Sequence, residues 1–223
     1  MADNWLEKRY EECFGQGSGN GAGRKAARKA PVNPSLDSLL LRNRSCRGYD
    51  SSYIVSNEEL MQIIGVANKV PSACNQQVLR FRTVLSDEAQ KVNAHIRLGG
   101  ALKELGLPLP GTAPNAFIVI CSTIGRTHWA DVDLGIMAQS MLLKATEMHL
   151  SGICIGAFDK DAIVAELSIP EGLEPVLILA VGKSIEHIYL TEISEEENHS
   201  YYRKDGIQYV PKVKIEDLLI KIS

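Results

Sequence analysis

The segment Ala116-Phe117-Ile118-Val119-Ile120-Cys121 is apolar throughout. A strand with one solvated face alternates apolar and polar residues, so this unbroken run predicts a strand buried on both faces at the centre of a sheet. Residues 131–148 follow with apolar side chains at helical spacing, in a stripe wide enough for burial on two sides. A central strand and a long helix are therefore expected to form the core.

The remaining patterns are shorter and mix helices with strands. Ser56-Asn57-Glu58-Glu59 has the spacing of a capping box, and the helix behind it is expected to end before Pro71. Further strands are predicted at 81–85, 152–156 and 176–182, further helices at 87–96 and 159–167, and a C-terminal segment at 209–220. Because strands and helices do not alternate regularly, the pattern predicts a mixed α and β domain and not a doubly wound sheet.

Composition is that of an ordinary globular protein and excludes several functions. The 223 residues are 45% apolar and 23% charged, which is enough to bury a sizeable core. A net charge of −3 and a pI of about 6.0 argue against nucleic acid or another polyanion as partner. The cysteines include no CxxC pair and the histidines show no ligand spacing, which predicts a reducing compartment and no metal.

The N-terminal part of the sequence differs from the rest. Residues 4–14 have the pattern of a short amphipathic helix, residues 15–23 are rich in glycine, and residues 24–29 form a basic run. We expect residues 1–34 to be an extension, a solvated tether by default and a partner-binding arm as the alternative, and residues 35–223 to be the compact domain. The sequence shows no signal-peptide pattern and no apolar run of membrane-spanning length, so the expected location is the cytoplasm.

A cluster of cationic and polar side chains follows the apolar run Leu39-Leu40-Leu41. Arg42, Arg44 and Arg47 place three guanidinium groups within six residues, and Ser45 adds a hydroxyl group. A guanidinium group is a fixed fork of donors that stays charged, so several converging on one point suit a phosphate dianion. The leucines are expected to anchor the segment in the core. A solvated basic turn is the alternative explanation of these residues.

Three other stretches indicate a ligand-binding site only when they are considered together. Pro71-Ser72-Ala73-Cys74-Asn75-Gln76-Gln77 sets polar side chains among small residues, which would let a planar heterocycle approach the backbone. In Cys154-Ile155-Gly156-Ala157-Phe158, a strand ends in small residues whose backbone amides would face a ligand. Pro211-Lys212-Val213-Lys214 has two lysines at strand spacing, so both would lie on one face. Taken alone, each stretch is also typical of a turn or an exposed strand edge.

The order and spacing of these stretches resemble the nitroreductase superfamily of flavin mononucleotide (FMN) enzymes. Arg44-Ser45-Cys46-Arg47-Gly48-Tyr49 matches the family's basic-Ser-x-basic-x-aromatic opening, and residues 71–77 match its Pro-Ser-small-x-Asn-x-Gln loop. The order is completed by Asp133-x-Gly135 with Gln139, by Ile155-Gly156-Ala157-Phe158 and by the late Pro-Lys-x-Lys. The resemblance covers about residues 36–220.

The resemblance implies where FMN would bind. It assigns the phosphate to Arg44, Ser45, Lys212 and Lys214. It places Arg47, with Cys46 in the same loop, at the pyrimidine edge of the flavin. The partner subunit of a homodimer would contribute Pro71, Ser72, Ala73 and Asn75. The backbone of Ile155 and Gly156 would lie at the reactive side of the flavin. We name no catalytic side chain, because in this chemistry the flavin itself carries the hydride.

The same resemblance implies an α+β fold with a mixed, mainly antiparallel central sheet flanked by helices, and a homodimer with C-terminal strand exchange. The implied activity is that of an FMN-dependent oxidoreductase. It would pass hydride from NADH or NADPH to electron-poor small molecules, such as nitroaromatics and quinones, by a ping-pong mechanism. Val78-Leu79-Arg80 stands where many members have Pro-Trp, and the loop at 99–112 offers no obvious amide for the flavin. These departures concern the choice of substrate more than flavin binding.

Two alternatives stay open at this point. One is a flavin enzyme of the same fold that does not use NADH or NADPH directly, such as a dehalogenating or flavin-cleaving relative. The other is a non-enzymatic flavin-binding or interaction protein, with residues 1–34 as a partner-binding arm.

Overall fold

The structure is a computed structural model that describes residues 34–100 and 102–220. The predicted extension lies, apart from Pro34, outside the described residues. In chain order, the helices are α1 (Leu36–Arg42), α2 (Asn57–Ile64), α3 (Ala89–Asn93), α4 (His128–Glu147), α5 (Lys160–Leu167) and α6 (Ile215–Leu218). The strands are β1 (Leu79–Val84), β2 (Ala116–Ser122), β3 (Ser151–Ile155), β4 (Glu174–Gly182), β5 (His187–Ile193), β6 (Tyr202–Lys204) and β7 (Ile207–Val213).

The central sheet has four strands in the order β1-β2-β4-β3, and all of its pairs are antiparallel. Strand β2 is buried at every residue, with Phe81 of β1 opposite Ile120 and Leu179 of β4 opposite Ile118. The prediction of a central strand at 116–121 is therefore confirmed, as is the α+β fold with a mainly antiparallel sheet.

The apolar residues of β2 belong to two separate hydrophobic cores, because successive side chains point to opposite faces of the sheet. Phe117 and Val119 pack on one face with the apolar sides of α3 and α5. Ile118 and Ile120 pack on the other face with those of α2 and α4. The sheet therefore lies between two helical layers, which is why residues 116–121 of its central strand are all apolar.

Helix α4 begins at His128, three residues before the predicted start, because Thr127 caps it: its hydroxyl accepts from the backbone N–H of Ala130 at 3.1 Å. One side of the helix is buried through Met137, Met141 and other residues. On another side Trp129 is 61% exposed, so burial on two sides is not achieved within one chain. In the described ranges, no helix is both long and apolar enough to cross a bilayer.

Helix α1 contradicts the prediction that the leucine run anchors the basic segment in the core. The helix has no buried residue, and Leu41 is 66% exposed. The capping box at the start of α2 is confirmed by both of its bonds: the Ser56 hydroxyl accepts from the N–H of Glu59, and the Glu59 carboxylate accepts from the N–H of Ser56. Helix α2 ends at Ile64, before Pro71 as predicted.

A second, three-stranded sheet of order β5-β7-β6 follows the central sheet, with β5 parallel and β6 antiparallel to β7. The sequence patterns predicted only a segment at 209–220 here, because β5 and β6 are mostly exposed and lack a clear apolar face. Within this chain β7 pairs with β5 and β6. The predicted C-terminal strand exchange concerns a second copy and stays a prediction.

Gly152 in β3 gives the fold a sharp test. A Cβ atom there would lie 2.6 Å from the carbonyl oxygen of Ala180 and 2.6 Å from Cδ2 of Leu142. Gly152→Ala should therefore lower the free energy of unfolding by about 1–3 kcal/mol, the usual cost of overpacking. The control is Gly125→Ala, where a Cβ atom would meet nothing within 4 Å. Equal urea midpoints for the two variants would contradict the close approach at Gly152.

Candidate functional site

The loop from Arg44 to Tyr49 is held against the edge of the central sheet by its backbone. Ser45 forms a parallel bridge with Gly152, and the N–H of Cys46 donates to the Gly152 carbonyl at 3.2 Å. The Tyr49 side chain is buried, and its hydroxyl donates to the carbonyl of Cys46 at 2.9 Å. The loop is therefore fixed at both ends, which determines where its two arginines lie.

Cys46, predicted to lie in the cofactor loop, turns its side chain into the core. Its Sγ lies 3.0 Å from the Gly48 carbonyl and 3.1 Å from the Ser184 hydroxyl. Burial raises the pKa of this thiol to about 12, so it stays protonated at neutral pH. Only its backbone can face a ligand, and the thiol has no nucleophilic role.

Arg47 is 7% exposed and is held from three directions. Its Nε donates to the Leu98 carbonyl at 2.9 Å and its Nη2 to the Tyr201 hydroxyl at 3.1 Å, while its Cζ lies 4.9 Å from the centre of the Tyr201 ring. Its backbone N–H donates to Glu186 at 2.7 Å. A buried guanidinium group in this setting has a single well-defined orientation.

A cavity of about 220 Å³ opens beside this loop. Its charged and hydroxyl-bearing lining comes from both ends of the domain and consists of Arg44, Ser45, Arg47, Tyr201 and Lys212. In the described residues, no carboxylate pairs with the side chains of Arg44 or Lys212. The lining of the cavity is therefore cationic and includes no carboxylate among the residues that the structure describes.

The hydrogen bonding of the Arg44 guanidinium group is incomplete among the described residues. Its Nη2 donates to the Leu40 carbonyl, but its Nε is buried and has no hydrogen-bond partner among the described residues. Burial lowers the pKa of this guanidinium group from its ordinary value. A buried donor without a partner is costly, so an anionic oxygen at this point would satisfy it.

A larger cavity, of about 570 Å³, is lined by residues that adjoin Arg47. Its lining includes Leu98, Gly99, Gly100 and Ala157. Gly100 lies close to Arg47, since a Cβ atom built on it would be 3.5 Å from Nη2. Ile155 is buried at the end of β3, and a Cβ atom on Gly156 would meet nothing within 4 Å. The strand end predicted to face a ligand therefore directly precedes Ala157 of this cavity, with open space at Gly156.

The loop at 71–77 lies elsewhere in the chain, against helix α4. Both carboxylate oxygens of the buried Asp133 accept from the N–H of Ala73, at 2.9 and 3.1 Å. Cys74, Asn75 and Gln77 have positive φ angles of 49°, 54° and 49°, which are strained for residues other than glycine. Neither of the two cavities at Arg47 is lined by a residue of this loop.

The comparisons with known proteins agree with the motifs. The sequence pattern of the Nitroreductase family matches residues 40–183, more than half of the chain. The chain belongs to the nitroreductase family. YodC of Bacillus subtilis (strain 168), provisionally named as an NAD(P)H nitroreductase, is 23% identical over 182 residues, which are 68% of this chain and 90% of YodC.

Solved structures of nitroreductases share the fold. A nitroreductase family protein of Clostridium difficile 630 is 25% identical with a TM-score of 0.52, covering 66% of this chain and 83% of its own. An FMN-dependent nitroreductase of Clostridium difficile R20291 is 22% identical with a TM-score of 0.55, covering 68% and 89%. The prediction of a nitroreductase-like oxidoreductase is confirmed at the level of the family.

Several residues at the candidate site were not predicted from the sequence. Glu186, Leu98 and Tyr201 surround Arg47, yet none lies in a recognisable motif, and two of them follow the family match at 40–183. Lys212 lines the cationic cavity, whereas Lys214, the N-cap residue of α6 just beyond the end of β7 at Val213, does not. The roles of all the predicted cofactor residues stay predictions.

Asp133 should stabilise the strained loop at 71–77. In Asp133→Ala the N–H of Ala73 loses its partner, so we expect the free energy of unfolding to fall by about 1–3 kcal/mol. The control on the same helix is Asp131→Ala, which breaks only the exposed ion pair with Arg126 and should cost much less. Chemical denaturation measures both, and an equal loss would contradict the anchoring role of Asp133.

Proposed function

We propose that the protein is an FMN-dependent oxidoreductase that takes hydride from NADH or NADPH. It passes the hydride to electron-poor small molecules, such as nitroaromatics or quinones. The observation that carries this proposal is the cationic cavity lined by Arg44, Ser45 and Lys212, in which no described carboxylate pairs with Arg44 or Lys212. Family membership supports an oxidoreductase, and the cavity supports a cofactor that ends in an anion.

FMN fits this cavity because it ends in a phosphate monoester, a dianion with three acceptor oxygens. Arg44 and Lys212 would supply the opposite charge, and the hydroxyl group of Ser45 would supply a neutral donor. Lys214, at the start of α6, would add charge from just beyond the cavity. No glycine-rich pyrophosphate loop is needed for a cofactor with a single phosphate.

Arg47 would lie at the pyrimidine edge of the flavin, at the border of the two cavities. When bound, FMN supplies the hydride chemistry, and the protein supplies orientation and charge near the ring. A fixed guanidinium group there would stabilise negative charge that develops on the ring during reduction. The backbone at Ile155 and Gly156 would line the reactive side, where Gly156 leaves room for a second molecule. Donor and acceptor would then occupy the same space in turn, as a ping-pong mechanism requires.

We propose that the working unit is a homodimer with FMN at the subunit interface. The polar loop at 71–77 and the cationic cavity do not meet within one chain, so a partner would have to bring Pro71, Ser72, Ala73 and Asn75 to the flavin. Large apolar side chains are left on the surface, among them Leu41, Trp129, Leu218 and Leu219. A second copy would cover such residues, as obligate interfaces do. Light scattering should give the mass of two chains, and the mass of one chain would contradict this part of the proposal.

Strand exchange at the C-terminus would use the free edge of the central sheet. Strand β1 pairs only with β2 among the described strands, so its other edge is open to a strand from a second copy. The exposed apolar residues of α6 and of residues 219–220 lie at the C-terminal end of the described chain, and this is the segment that would be exchanged.

Removal of Arg44 should weaken FMN binding. Arg44→Ala deletes one cation and the unsatisfied Nε from the cavity, so we expect the dissociation constant for FMN to rise by about 10-fold or more, as for a lost charge-assisted hydrogen bond. Quenching of flavin fluorescence measures the constant. Arg42→Ala is the matched control, since Arg42 is exposed and donates only to the Ser38 carbonyl of its own helix. Equal affinity of Arg44→Ala and Arg42→Ala would contradict the placement of the phosphate.

A further inference from the structure

We propose that Tyr201, supplied by the C-terminal sheet, is a positioning residue that holds Arg47 in place for the flavin ring. This inference rests on the proposed function and extends it to a part of the chain beyond the family match, which ends at residue 183. Tyr201 lines the cationic cavity together with Arg44, Ser45 and Lys212.

Two contacts from one side chain orient the guanidinium group. The Tyr201 hydroxyl accepts from Nη2 at 3.1 Å, which fixes the direction of the group within its own plane. The ring lies over the group at 4.9 Å from Cζ, a cation–π contact that restricts the tilt of the plane. The bond from Nε to the Leu98 carbonyl closes the third side. Arg47 is therefore oriented before a ligand arrives.

The C-terminal sheet is locked to the loop that carries Arg47. Glu186 accepts from the backbone N–H of Arg47 at 2.7 Å and forms an ion pair with Arg203 of β6, with side chains 8% and 18% exposed. Arg203 also donates to Gln208 of β7 at 3.3 Å. Tyr201 directly precedes β6, so this buried ion pair, two residues away, fixes the backbone from which the tyrosine reaches Arg47.

Gly100 makes room for the pair. A Cβ atom at this glycine would lie 2.3 Å from the Tyr201 hydroxyl, and its φ angle of +56° also favours glycine. Gly100 lines the larger cavity, whereas Tyr201 lines the cationic one. The tyrosine hydroxyl and the guanidinium group therefore lie between the two cavities. In the proposed binding mode, the chain that joins the flavin ring to the phosphate would pass this point.

An oriented cation at the ring edge acts most strongly on the state of the ring that carries negative charge. Tyr201 should therefore raise the affinity for reduced FMN more than that for oxidised FMN, since it acts through Arg47. A residue that merely helps the domain to fold would change both affinities alike. The midpoint potential of the bound flavin reports this difference and is independent of turnover.

The test compares Tyr201→Phe with Tyr202→Phe. The first variant keeps the ring and loses the hydroxyl group. The second loses a hydroxyl on a neighbouring side chain that is exposed and stacks on Tyr209 at 5.1 Å, away from Arg47. We expect Tyr201→Phe to weaken binding of reduced FMN about 10-fold more than that of oxidised FMN, which lowers the midpoint potential by about 30 mV. Tyr202→Phe should leave the potential unchanged.

A second comparison asks whether Tyr201 acts through Arg47. In an Arg47→Lys background, the ammonium group lacks the planar fork, so adding Tyr201→Phe should lower the potential much less than it does in the parent chain. Full additivity of the two changes would overturn the positioning role. The positioning role is also overturned if the unsubstituted protein binds FMN and Tyr201→Phe leaves the midpoint potential of the bound flavin unchanged. In that case the proposed function survives. A parent protein that binds no FMN would overturn both.

Discussion

The backbone contact between the Arg44 to Tyr49 loop and the edge of β3 is the constraint on which the site depends. Gly152 allows it, because only a residue without a side chain lets β3 and the Ala180 carbonyl of β4 approach so closely while the N–H of Cys46 donates to Gly152. Gly182 plays a similar part for the buried ring of Tyr49, whose Cδ1 lies 2.8 Å from where a Cβ atom would be. The sheet thus determines where Arg44 and Arg47 lie.

The two arginines are placed alike but partnered differently. Arg47 donates to the Leu98 and Ser45 carbonyls and to the Tyr201 hydroxyl, whereas the buried Nε of Arg44 has no hydrogen-bond partner among the described residues. Glu186, the carboxylate bonded to this loop, is committed to Arg203 and to the backbone of Arg47. Within the described part of the chain, Arg44 is therefore a cation without a carboxylate partner, and Arg47 is a second cation with a fixed orientation in the same loop. This division matches a cofactor with a phosphate at one end and a ring at the other.

Local patterns predicted the parts of the fold that depend on local physics. The apolar run 116–121 of β2, the capping box at Ser56 and the long helix α4 each follow from residues within one segment. The prediction that the leucine run before Arg42 is buried was wrong, because apolar composition alone does not show that a segment packs into the core. Glu186 and Tyr201 could not be predicted, since their contacts with Arg47 join residues more than a hundred positions apart. The cytoplasmic location and the role of residues 1–34 stay predictions.

The measurement that tests the central claim most directly is the visible absorbance spectrum of the purified protein with FMN, before and after NADH or NADPH is added under nitrogen. The account predicts the bands of a bound, oxidised flavin and their loss when a nicotinamide is added. A protein that takes up no FMN would contradict the account. If FMN binds but is reduced only by dithionite, the proposed FMN site stands. The function is then that of a flavin enzyme that does not use NADH or NADPH directly.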